Sequence, residues 1–338
     1  MRKILLATCL AAVFLLSGCA SLLPDPMMKS EATMVPGVTA ELHSPLADAS
    51  STGVKTVTLY FRYGKEPMLA GEERQLSISR NESEEKALVQ ALLDGPSAGV
   101  PELERLFPDQ VQVLNTVSQG GVLYVTFNDV LLRSFSDEPA DWQTRDDWKL
   151  EVPLRRRLAM AGLTASVTES FGYHKVQVLV QQRSDASTSL RLDNSYFKDS
   201  GLPSGPAAPL LRDESLLLTQ QNTARTVMTA WQQKDWERLY LYLAASDPAG
   251  GQARPGMDTA VGKWNDAASV VDFSVTGGSV LKDGSKAVVG IDVTLARGAA
   301  PSADFAAYPV ALYRDRGIWK ITYDQLSALM DLREEAGQ

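Results

Sequence analysis

Residues 162–180 read GLTASVTESFGYHKVQVLV. Leading into this stretch, Leu154, Leu158, Ala161 and Ala165 recur at helical spacing, and Leu163, Val167 and Phe171 follow on the adjoining stripe. Gly172 supplies a helix C-terminal cap. From His174 the period changes to two, with Val176 and Val178 on one face of a strand and Leu179 on the other. A helix that feeds directly into an apolar strand predicts a helix packed on a sheet, and the upstream residues supply the other strands. Val111, Val113 and Val117 fall on one expected strand and Val122, Tyr124 and Thr126 on the next, joined as a hairpin through Gln119-Gly120-Gly121.

Further upstream, Lys55–Tyr63 alternates with Val57, Leu59 and Phe61 on one face, and Leu76 and Ile78 mark a short second extended piece. A helix is expected after it, with Asn81 as N-cap, Glu84 in the capping-box position, and Glu82 and Glu85 adding negative charge to the first turn. Ala87, Leu88, Ala91 and Leu92 form its apolar stripe, and Gly95-Pro96 stops it. An acidic, tryptophan-containing insertion is expected over 134–148.

The pattern changes after residues 199–211, which hold three prolines and two glycines and read as an interdomain linker. Ala224, Val227, Met228 and Trp231 form a helical face that Lys234-Asp235 interrupts, and Trp236, Leu239, Tyr240 and Leu243 continue as a second helix. Alternating segments follow at 271–275, 279–281, 287–295, 308–313 and 318–323, with a turn at Lys282-Asp283-Gly284-Ser285. Helices followed by an antiparallel sheet give an α+β order.

The amino terminus has a different role. Arg2 and Lys3 precede an apolar run, Ile4 to Leu16, of thirteen residues; that is too short for a stable membrane span and reads as a cleavable signal. Leu16-Ser17-Gly18-Cys19 then resembles a bacterial lipobox. The resemblance implies cleavage between Gly18 and Cys19 and acylation of Cys19, with the acyl chains holding the mature protein on a membrane. Residues 1–18 are thus the expected signal peptide. Residues 19–54, which carry four prolines, many small polar residues and His43 but no sustained period, are the expected flexible spacer.

Composition narrows the chemistry. Of 338 residues, 44% are hydrophobic and 22% charged, as in a globular protein, and the length suggests two domains. Loss of Arg2 and Lys3 leaves 31 basic against 41 acidic residues, a charge of −10 that argues against nucleic acid as a partner. Cys9 leaves with the signal and Cys19 is the lipid site, so the mature chain cannot form an internal disulfide. With His43 and His174 its only histidines, it cannot assemble a His/Cys metal site or a Cys–His nucleophile pair. No catalytic residue, cofactor or metal is expected.

Several motifs together resemble the GerMN domain of spore germination and sporulation lipoproteins. They are VTLYF at 57–61, ALVQALLDGP at 87–96, LFPDQVQVL at 106–114, GVLYVTFN at 121–128 and the stretch at 162–180. The resemblance covers residues 55–198 and implies a small α+β domain used in envelope assemblies. Residues 212–338 are similar to NTF2-like domains in the Lys234-Asp235-Trp236 break, the strand pairing across Asp283-Gly284 and the closing GIWKI at 317–321. That resemblance implies a cone of helices on a curved antiparallel sheet, a fold that by itself assigns no chemistry.

Individual candidate sites read mostly as structural. Arg155-Arg156-Arg157 point about 100° apart on a helix and are expected on its solvated face, with Asp146, Asp147 and Glu151 as counter-ions. Gly256–Lys263, GMDTAVGK, has the wrong spacing for a phosphate loop. The neighbours Glu72-Glu73 and Asp146-Asp147 diverge in either a helix or a strand. His174 reads as a structural residue at a strand start, and Trp231, Trp236, Tyr240, Tyr242 and Trp319 as core. The function implied is a non-catalytic interaction or assembly module of the cell envelope, tied to sporulation or germination. It would be held to the membrane through Cys19 and engage other envelope or cell-wall-associated proteins. The alternative is a tethered NTF2-like pocket for a small ligand or substrate.

Overall fold

One long helix organises the first half of the structure. The computed structural model describes residues 53–181, 188–248, 250 and 253–333. In chain order its elements begin with β1 (Gly53–Tyr63), β2 (Leu69–Ile78), α1 (Glu84–Asp94), β3 (Leu103–Glu104), β4 (Val113–Gln119) and β5 (Val122–Asn128). They continue with α2 (Asp146–Phe171), β6 (Lys175–Gln181), β7 (Leu190–Arg191), α3 (Gln220–Gln233), α4 (Trp236–Leu241) and α5 (Met257–Trp264). The last are β8 (Ser269–Val280), β9 (Lys286–Ala296), β10 (Ala303–Asp315), β11 (Ile318–Ile321) and α6 (Tyr323–Met330). The fold class is α+β, as the element order predicts.

Among the described residues there are three sheets, of order β2-β1-β3, β4-β5-β6-β7 and β11-β10-β9-β8. The helix α2 connects the parallel strands β5 and β6 as a crossover and packs on β1. Only Arg62 and Tyr63 of β1 pair with β3, which leaves the rest of that strand edge for α2 to cover. Ser166 does so directly. Its hydroxyl donates to the Gly162 carbonyl at 2.7 Å and accepts from the Tyr60 N–H at 2.9 Å. Gly162 permits this approach, because a Cβ there would lie 2.8 Å from the Tyr60 carbonyl oxygen.

Many local expectations hold, but β2 runs over ten residues rather than as a short piece at 76–78, the segments at 271–275 and 279–281 are one strand, β8, Val111 precedes β4, and three further points differ. Val57, Leu59 and Phe61 are buried together, and β4 and β5 form the hairpin across Gly120-Gly121, both glycines having positive φ. The N-cap of α1 is Ser83 rather than Asn81. The Ser83 hydroxyl reaches the Lys86 N–H at 3.1 Å, which leaves Asn81 in the preceding turn and Glu84 as the first helical residue. The insertion is shorter than expected, since α2 begins at Asp146 and includes Trp148 and Pro153. Tyr323 opens α6 instead of ending a strand, because the Thr322 side chain caps the Gln325 N–H.

In the second half, Lys234 takes a left-handed conformation (φ 56°) to end α3, and Asp235 caps α4, as the break in periodicity predicts. The helix α3 lies on the β8–β11 meander. Its Val227, Met228 and Trp231 are buried, as are Val289, Ile291, Leu312 and Ile321 of the strands. The Trp231 indole N–H donates to the Ala268 carbonyl at 2.9 Å.

A polar seam joins the two stretches, whose apolar side chains belong to one continuous core. Tyr63 donates its hydroxyl to the Leu241 carbonyl at 2.6 Å, and its ring meets that of Tyr242 edge-on. Glu66 holds Arg238 in a two-point pair at 2.6 and 2.8 Å. Lys320, almost fully buried, and Arg316 both reach Glu102 at 3.1 Å. Burial alone would raise the Glu102 carboxyl; a hydrogen bond from its own backbone and the two cations outweigh it and hold the group below the usual carboxylate range.

Candidate interaction surface

The first turns of α2 present Leu150, Pro153, Leu154 and Arg157 outward, opposite a segment that the sequence marks as a linker. That segment is fixed in place. Asp193 caps a short 3-10 turn, Asn194–Phe197, by accepting from the Ser195 N–H at 2.9 Å. The Asn194 side chain holds the Pro203 carbonyl at 2.9 Å, Ala207 N–H donates to Leu192, and Leu210 pairs with Val176 on β6. Between the helix and this strap lies a groove of about 660 Å³, lined by Leu150, Leu154, Phe197, Leu202 and Leu211 among others. A second hollow of about 760 Å³ lies across the 3-10 turn and includes Leu132, Leu190, Arg191, Tyr196 and Lys198. Five leucines on these rims are exposed, Leu150 at 77% and Leu211 at 63% most of all. These exposed leucines make the rims of the two hollows the candidate interaction surface.

Beneath this face the three arginines separate in a way their spacing does not reveal. Arg156 is not on a solvated face. It is 1% exposed and pairs at 3.1 Å with Glu138, whose side chain is 2% exposed. The Phe135 and Tyr196 rings flank its guanidinium. The cause is the insertion, which folds back over α2 and brings Glu138 and Phe135 onto the one arginine that points inward. Arg155 binds Asp137 and Glu151, and Arg157 reaches Asp213 at 3.3 Å. Of the expected counter-ions only Glu151 serves this cluster; Asp146 pairs with Lys149 and Asp147 with Arg145.

Glu151 also takes a two-point pair from buried Arg62. Burial pushes its carboxyl up, but hydrogen bonds and charge from Arg62 and Arg155 outweigh that and hold it low. A polar hollow of about 240 Å³ beside them is lined by Arg62, Glu104, Asp137 and Arg155. Burial raises the Glu104 carboxyl there. These cations are already held by carboxylates, so the arrangement reads as a structural ionic network.

The remaining candidates stay apart. Glu72 is buried and paired with Arg74 at 2.8 Å while Glu73 faces outward, so the two diverge as expected. Gly256 precedes α5, which takes up the rest of GMDTAVGK as an ordinary helix. His174 is exposed at the entry to β6, its N–H on the Gly121 carbonyl at 3.0 Å. Trp231, Tyr242 and Trp319 are core, whereas Trp236 and Tyr240 are partly buried and pack against it. Among the described residues no group of three or more His, Cys, Asp or Glu side chains is placed to hold a metal. Gly18, Cys19 and His43 lie outside the described residues.

With this geometry in place, comparison with known proteins adds one family. Residues 58–185 match the family model Germane, described as sporulation and spore germination. The match begins inside β1 and runs past the end of β6, so it takes in α2 and the parallel crossover. Curated proteins give no match. Among solved structures, the tandem GerMN domains of the sporulation protein GerM from Bacillus subtilis align at 16% identity and TM-score 0.31, covering 52% of this chain and 51% of that one. This chain therefore spans about half the length of that tandem structure. The first GerMN domain of the same protein aligns at 15% identity and TM-score 0.29, over 47% of this chain and 98% of that one. A candidate lipoprotein from Clostridium perfringens aligns at 20% identity and TM-score 0.23, over 40% and 80%. No described helix is long and apolar enough to cross a membrane.

The exposed leucines are the residues that sequence reasoning missed. A signal was present, since Leu202, Leu210 and Leu211 are aliphatic residues inside a stretch otherwise typical of a solvated linker.

Proposed function

We propose that the protein is an extracytoplasmic lipoprotein, anchored through Cys19, that acts as a non-catalytic interaction and assembly module of the cell envelope in sporulation or spore germination. The observation that carries this reading is the Germane match over residues 58–185. The leader and the lipobox-like Leu16-Ser17-Gly18-Cys19 support the anchor and the location. Residues 55–198 form the GerMN-like module and residues 212–338 an NTF2-like module, joined through 199–211 and the ionic seam. The side of the second sheet that faces α3 supports binding by surface over turnover in a pocket, because Val227, Met228 and Trp231 are buried there along with Ile291, Leu312 and Ile321.

Partners meet the body at its sheet edges. Strand β4 ends one sheet and β8 another, with Val117 exposed on the first and Val271 on the second, the latter lying at a bulge with its carbonyl accepting from the Gln232 side chain. An extended segment of another chain can add to such an edge. The test is a photo-crosslinking residue placed at Val117 or Val271 in the full chain in its native host. Discrete adducts with envelope or cell-wall-associated proteins are expected, with the β4 adduct lost on deletion of 55–198. Absence of adducts from both positions, together with turnover of a small substrate by the purified protein, would establish the pocket instead.

A further inference from the structure

We infer that the leucine face formed by the start of α2 and the strap at 194–211 seats the folded body on the bilayer surface. The inference rests on the lipid-anchor reading above, because a tether keeps the bilayer permanently within reach. Two observations point to a membrane as the occupant.

The first is the length and position of the tether. Residues 20–52 separate Cys19 from β1, and 33 residues can span at most about 110 Å. Where it meets the body is known, since Lys55 near the start of β1 lies 4.0 Å from the ring of Phe171, the last residue of α2. The leucine face is at the other end of that helix. At 26 residues α2 is about 39 Å long. The maximum reach of those residues exceeds the helix length, so the face can lie against the bilayer. A tethered surface at millimolar effective concentration engages even a weakly apolar face.

The second is the chemistry of the side chains. Leu132, Leu150, Leu190, Leu202 and Leu211 are exposed, and Arg191 and Lys198 stand among them, along with Asp193, Asp199 and Arg157, which is paired with Asp213. Leucines flanked by long basic side chains, whose stems can lie along the apolar layer while their heads stay in water, are the composition of interfacial elements.

The experiment uses the chain from Ala20 with a polyhistidine tag in place of Cys19, held on vesicles of phosphatidylethanolamine and phosphatidylglycerol that contain a nickel-chelating lipid. Attachment then does not depend on lipidation in the cell, so failure of the seating is separable from failure of the anchor. This chain has no cysteine, and Leu150→Cys, Leu202→Cys, Leu211→Cys or Val271→Cys each gives one site for an environment-sensitive fluorophore. Seating predicts that probes at 150, 202 and 211 shift to the blue on vesicles and are quenched by brominated lipid, whereas the β8 probe at 271 is unchanged. Combining Leu150→Asp with Leu211→Asp is expected to weaken the response at 202 by roughly tenfold or more in lipid titrations. Unchanged probes on tethered protein would overturn the inference. So would a lipid-independent shift that grows with protein concentration, which would mean that a second copy covers the face.

Discussion

Removing the carboxylate of Glu138 should be among the most damaging single changes in the first half of the body. Glu138→Ala leaves the Arg156 guanidinium, 1% exposed between the Phe135 and Tyr196 rings, without its counter-ion. Stranding a buried charge costs about 3–5 kcal/mol. The lost contacts from the Ser134 hydroxyl and Phe135 N–H add little, because Ser134 is exposed and can bond to water. At about 2–4 °C per kcal/mol, a central value of about 4 kcal/mol is a fall in Tm of about 8–16 °C. Urea unfolding followed by far-UV circular dichroism and tryptophan fluorescence reads this directly. The paired replacement Glu138→Leu with Arg156→Met should return stability to within about 1 kcal/mol, since it removes both charges. Asp146→Ala, which breaks the exposed pair with Lys149, should cost about 0–1 kcal/mol. If Glu138→Ala cost no more than Asp146→Ala, the reasoning about burial would be refuted. Because Arg156 also supports Tyr196, the destabilised variant should show faster proteolysis within 194–211.

Other outcomes follow from the same geometry. Gly162→Ala places a Cβ against the Tyr60 carbonyl and the Leu106 side chain, and should destabilise by about 1–3 kcal/mol in the same urea assay. Ser83→Ala removes the N-cap of α1 and should cost about 1 kcal/mol. The Glu102 carboxyl is held below its unfolded value, so its contribution is present above about pH 4.5 and lost as the pH falls through the lower folded value. Glu102→Gln should accordingly flatten the decline of the urea midpoint as the pH falls below about 4.5; an unchanged slope would remove Glu102 from the account of the seam.

Much of the fold is legible in the residues. The switch of period at Gly172, the hairpin at Gly120-Gly121, the break at Lys234-Asp235 and the turn at Asp283-Gly284 each rest on local backbone chemistry, and each appears where the sequence places it. What is not legible depends on contacts distant in sequence. The parallel pairing of β5 with β6 needs the whole α2 crossover, and nothing in either strand announces its direction. Three consecutive arginines look alike until the insertion brings Glu138 over one of them. The strap at 199–211 has the composition of a linker, yet its Ala207 and Leu210 amides find acceptors on Leu192 and Val176. The leucine face is hidden for the same reason, since Leu150 and Leu211 are 61 positions apart.

The claim that matters most is that this body works at a membrane surface through an acylated Cys19. Mass spectrometry of the amino-terminal peptide, prepared from the membrane fraction of cells that express the full chain, tests it most directly. The account predicts a mature chain that begins at Cys19 with a diacylglyceryl thioether, absent from a Cys19→Ala variant. An intact Met1, or an unacylated amino terminus at any other residue, would contradict it.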